Sequence, residues 1–118
     1  MHNNNLEELL NNAILLQDST NPQLQLIKEE IIKNKDANLA YKYAMEFEDE
    51  TKQLQKIVIK SKDAHLIYLF ARDVFNADIE KLEKAIIESE DVTNMQNFAD
   101  IEGANRKKIL KKIKQLQE

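Results

Sequence analysis

The residue types that could do chemistry are few in this chain, and each stands in a context that argues against it. There is no Cys among the 118 residues, which excludes a disulfide framework, a thiolate zinc site and a cysteine nucleophile. The histidines are His2 and His65. Neither has a carboxylate at the three- or four-residue spacing that would place a metal-ligand pair on one helix face. Asn34, Asp36 and Asn38 have the alternation of a calcium loop. The pattern then fails, because Leu39 stands where the loop needs Gly and Met45 where it needs a bidentate Glu. Glu46, Glu48, Asp49 and Glu50 could do acid–base work if held together in a desolvated cleft. Their position at a helix junction reads better as a solvated face, with Asp49 and Glu50 favouring the dipole of the helix that follows. With one Gly in the chain there is no phosphate-cradling loop, and no nucleophile–base arrangement is present. The expectation is a protein that is not an enzyme, with no cofactor and no metal.

Composition bounds the elements that would position any such residues. One Gly and one Pro are too few for an all-β fold, and 32% charged residues with 6% aromatics suit helices. No apolar run approaches the roughly 20 residues of a membrane span, and the N-terminus lacks the basic and apolar regions of a signal peptide. No membrane partner and a cytoplasmic location are expected. The formal net charge of −4 is unevenly placed. Up to Glu102 acids outnumber bases 20 to 11, and from Gly103 onward bases outnumber acids 6 to 1.

The chain repeats itself. Ile27, Leu54, Leu82 and Ile109 are spaced 27, 28 and 27 residues apart. Further columns fall into register with them: Ile31, Val58, Ile86; Ile32, Ile59, Ile87; Asp36, Asp63, Asp91; Tyr43, Phe70, Phe98; Ala44, Ala71, Ala99. Each unit reads as two short helices. The first carries an apolar stripe, and the second opens on the Asp column as N-cap. The Ala column marks a close helix crossing. Asn34, Ser61 and Ser89 end the first helices; Asn76 and Gly103 are expected in left-handed conformation after the second. Pro22 opens a helix capped by Thr20 or Asn21.

Helices are therefore predicted at about 5–17, 22–33, 37–47, 50–60, 64–75, 79–88, 92–101 and 105–117. The fold class is all-α, an α-solenoid of about eight short antiparallel helices. Residues 1–118 form one domain: an N-terminal helix and cap at 1–26, repeats at 27–53, 54–81 and 82–108, and a C-terminal capping helix at 109–118.

The string NADIEKLEKAIIESEDV at 76–92, with the aromatic–Ala step Phe98–Ala99, resembles a short tandem α-helical repeat of bacterial and phage proteins. Its units read roughly GADIxxLxxAIIxSxDAxxxYxFAxxV. The resemblance runs from Ile27 to about Ile113 and is clearest over Ser61–Ala99. It implies the helical-repeat fold and no assigned activity. Gln96 stands in the column of Tyr41 and Tyr68, and Asn94 in that of Leu39 and Leu66, so a less buried second helix is expected in the third unit.

The expected function is a non-enzymatic protein–protein interaction module, of the kind a small acidic inhibitor or immunity-type protein would be, acting as a monomer or homodimer. Columns that vary between units are free to serve a partner. On the second helices these are Ala40/Ile67/Met95, Lys42/Leu69/Asn97 and Met45/Arg72/Asp100. Ile67, Leu69, Arg72 and Phe75 are the candidate partner-binding residues, since the middle unit is apolar almost all round. The alternative is a nucleic-acid or anionic-surface binder working through Arg106, Lys107, Lys108, Lys111 and Lys112. The plainer reading of that helix is a cap, with Ile109, Leu110, Ile113 and Leu116 turned inward and Lys112 and Lys114 where Ala85 and Ile87 stand one unit earlier.

Overall fold

The structure, a computed structural model, describes residues 3–16, 22–47 and 51–118. Over these residues it is all-helical: α1 (Asn3–Leu16), α2 (Pro22–Asn34), α3 (Ala37–Glu46), α4 (Thr51–Ser61), α5 (Ala64–Asp73), α6 (Ile79–Ser89), α7 (Val92–Phe98) and α8 (Arg106–Gln117). His2, the caps expected at Thr20 or Asn21, and the acidic run at Glu48, Asp49 and Glu50 lie outside the described residues. No helix among the described residues is long and apolar enough to cross a membrane.

The breaks between α2 and α3, α4 and α5, and α6 and α7 share one design. Each first helix ends on the expected Asn34, Ser61 or Ser89. The next residue, Lys35, Lys62 or Glu90, has φ of 52°, 59° or 56°, the left-handed conformation that reverses the chain. Asp36, Asp63 and Asp91 follow as N-caps, each carboxylate accepting from the backbone N–H three residues on (Leu39, Leu66, Asn94). After α2 the Asp36 N–H donates to the Ile31 carbonyl at 3.2 Å and the Lys35 N–H to Ile32, a full Schellman closure. In the other two units a serine hydroxyl replaces the longer of those bonds. Ser61 donates to the Val58 carbonyl and accepts from the Asp63 N–H; Ser89 does the same between Ile86 and Asp91.

The ends of the second helices depart from expectation. α5 stops at Asp73 and α7 at Phe98, shorter than predicted. The chain then makes a matching turn in both units, Ala77 N–H to Val74 O and Ala104 N–H to Ile101 O. Gly103 has φ +91° at the third turn position, whereas Asn76, in the same column, is not left-handed. The two turns close the same span with different backbone types, and only the second requires glycine.

Packing is local. Each helix lies against the next, and α1, α3, α5 and α7 also contact in series, forming one close-packed row. α2 and α4 touch in the other row, but among the described residues α4 and α6, and α6 and α8, make at most marginal contact. The chain measures 51 × 25 × 19 Å along its principal axes. The core follows the repeat columns: Ile27, Leu54, Leu82 and Ile109 are buried, as are Tyr43, Phe70 and Phe98 and the Ala44, Ala71 and Ala99 column. Burying one such aromatic or aliphatic side chain contributes roughly 1.5–3 kcal/mol. In α8, Ile109 and Ile113 are buried, but Leu110, expected inward, is exposed off that stripe.

A buried polar column runs through this core. Lys28, Gln55 and Glu83, in equivalent positions on α2, α4 and α6, are each at most 7% exposed. Gln55 Oε1 accepts from the backbone N–H of Asp78, the N-cap of α6, at 2.8 Å. Glu83 accepts likewise from Asn105, the N-cap of α8. A capping box would satisfy these donors from the third helical residue, but that residue is Lys81 or Lys108, which cannot accept. The acceptor comes from the preceding unit instead.

Candidate functional site

The outer end of α5 carries an ordered polar group. Asp73 receives both forks of its neighbour Arg72, Nε to Oδ1 at 2.7 Å and Nη2 to Oδ2 at 2.9 Å. The Tyr41 hydroxyl, from α3, donates to the same carboxylate. The Arg72 guanidinium lies 5.5 Å from the centroid of the Tyr68 ring, within cation–π reach. Hydrogen bonds from Arg72 outweigh burial and, with that from Tyr41, hold the Asp73 carboxyl below the usual carboxylate range. Burial, reinforced by the Asp73 carboxylate, pushes the Tyr41 phenol up to about 12. Such a group pre-orders a cation and an aromatic ring on the surface without itself offering a nucleophile or a free base.

Arg72 and Phe75 line an open groove of about 680 Å³ between the end of α5 and the end of α7. Its rim includes Tyr68, Asn97, Asp100 and Glu102. Phe75 is 80% exposed, which is unusual for so large an apolar side chain beside an ordered arginine. Leu69 is half-buried and lies outside this groove. Ile67, assigned to the same face from sequence, is instead 1% exposed and belongs to the core. Its whole column is core: Ala40 and Met95 are each 0% exposed. Variation between units there reflects different packing solutions at one buried site, not freedom from packing. The columns of Leu69 and Arg72 do reach the surface, Met45, Arg72 and Asp100 all being exposed.

On α8, Lys107, Lys108 and Lys111 are exposed, Lys112 is half-buried, and Arg106 pairs with Asp100. His65 is exposed and its Nδ1 lies 3.3 Å from Asn94 Oδ1. Among the described residues no group of three or more His, Cys, Asp or Glu side chains could hold a metal ion.

A second groove, of about 900 Å³, has no counterpart in the sequence reading. It lies on the other row of helices, where α4 and α6 part, and gathers Lys35, Lys52, Lys56, Lys60 and Lys81 with Asp78. Thr51, buried at the first turn of α4, also lines it, and its hydroxyl has no hydrogen-bond partner among the described residues. The recurrence of Lys52, Lys56 and Lys60 at four-residue spacing was the available signal.

No protein-family model, no curated protein and no solved structure matches this chain.

Proposed function

We propose that the chain is a non-enzymatic protein-interaction module, built as an α-solenoid of helix pairs. The repeated break, the neighbour-only packing and the elongated dimensions support the solenoid reading. The observation that carries the binding role is Phe75, 80% exposed beside an Arg72 already fixed by Asp73 and Tyr68. An exposed aromatic next to an immobilised arginine is a hot-spot composition, and the ordering has been met before the partner arrives. The carboxylate of Glu102 on the same rim suits a partner with an apolar anchor and a basic flank, as an acidic inhibitor or immunity-type protein would meet.

A second reading, binding of nucleic acid or another anionic surface through α8, draws on Lys107, Lys108 and Lys111, exposed and without ion-pair partners among the described residues. The two readings separate in one experiment. Parent protein and the variants Phe75→Ala, Leu69→Lys and Lys107→Glu/Lys111→Glu are immobilised and presented with extract of the source cells and with DNA and RNA. Capture of one protein partner, reduced about tenfold or more by Phe75→Ala and kept by the α8 variant, is the expected result. Salt-sensitive retention of nucleic acid that only the α8 variant abolishes would establish the second reading.

A further inference from the structure

We infer that the lysine groove between α2, α4 and α6 binds a short acidic segment of a partner polypeptide. This surface is independent of the Phe75 groove and lies on the other row of helices. Among the described residues its lining holds five cations, Lys35, Lys52, Lys56, Lys60 and Lys81, against one anion. That anion, Asp78, is already engaged in capping α6 through the Lys81 N–H. All five lysines are exposed, and none has an ion-pair partner among the described residues. So dense a positive patch on a chain of net charge −4 is a local field, and it draws an anion to one place.

Three features select an acidic polypeptide over a nucleic acid. First, Lys52, Lys56 and Lys60 follow one face of α4 at about 6 Å intervals. Carboxylates at alternate positions of an extended chain recur at about 7 Å, a close match. Second, Ile32, Ile57 and Ile59, half-buried, also line the groove and give apolar side chains between those carboxylates a surface to cover. Third, among the described residues no aromatic side chain and no Arg lines it, so bases meet no stacking platform there and phosphates no bidentate fork. A long polyanion would also run off the groove onto an acidic body, which a short segment avoids.

The test uses the intact protein and a labelled peptide with Glu at alternate positions and Ile and Ser between them, followed by fluorescence anisotropy. Saturable binding that weakens as salt rises is expected. Lys52→Glu/Lys56→Glu should weaken it about tenfold or more, while Lys107→Glu/Lys111→Glu, the same charge change on α8, should leave it within about twofold. Lys56→Gln, a neutral change at an exposed position, gives a smaller loss in the same direction and serves if the double reversal alters helicity. Equal losses from the two double variants would mean net charge alone is sensed and would overturn the proposal. So would absence of binding to the parent, or tighter binding of a single-stranded oligonucleotide of equal charge that Lys52→Glu/Lys56→Glu abolishes.

Discussion

At Asp73 one carboxylate joins two helices and fixes an arginine. The link has a pH signature at both ends. Tyr41 titrates above its ordinary value, so its contribution to stability is complete below about pH 10 and is lost as pH rises through about 12. Asp73 titrates below its ordinary range, so its contribution is present above that range and is lost as acid carries the pH through the lowered value. Subtracting the ultraviolet phenol titration of Tyr41→Phe from that of the parent should leave one phenol ionising near 12; a difference centred at the ordinary phenol value would remove the link. Acid unfolding followed by circular dichroism should be less steep for Asp73→Asn than for the parent. Sequence reading found the capping carboxylates, because Asp36, Asp63 and Asp91 recur at a fixed column. It passed over Asp73, whose partner Tyr41 stands 32 residues away and whose column reads Glu46, Asp73 and Ile101, with no acid in the third unit.

At the scale of the element, helix starts and stops were largely legible, because each depends on neighbours a few residues apart. The left-handed positions were legible only in part. Gly103 has the positive φ expected of it and Asn76 does not, while Lys35, Lys62 and Glu90 adopt it against residue type, held there by the Schellman bond or the serine hydroxyl beside it. Side-chain burial was legible where a column kept one residue type and misread where it varied, as at Ile67. The small-residue column gives the sharpest test of packing. Ala71 is 6% exposed at the crossing of α5, so Ala71→Leu should overpack it and cost about 1–3 kcal/mol. His65→Ala, on the same helix but exposed, should cost no more than about 0.5 kcal/mol. Urea midpoints for the two variants measure the contrast, and equal losses would contradict the register.

Over the whole molecule, one row of helices is close-packed and the other opens between α4 and α6. The opening makes the lysine groove, which the linear charge count concealed: a chain acidic up to Glu102 gathers five of its bases from α4, α6 and the turn after α2. What spans the opening is the bond from Gln55 to Asp78, with its counterpart from Glu83 to Asn105. Gln55→Ala leaves the N-cap N–H of α6 without its acceptor and should destabilise the protein by about 1–3 kcal/mol, measured by thermal unfolding. Gln55→Glu, which keeps the acceptor, should lose less. No column of repeated identity announced this contact, because Lys28, Gln55 and Glu83 share burial but not chemistry.

These bonds also have a direction. Gln55 precedes Asp78, and Glu83 precedes Asn105, so a ribosome makes each acceptor before the donor it will hold. When the start of α6 leaves the exit tunnel, α4 is already outside to receive it, and α6 then stands ready for α8. Nothing in this sequence of captures waits for a distant segment of chain. The order of synthesis is the order in which acceptor and donor become available to each other.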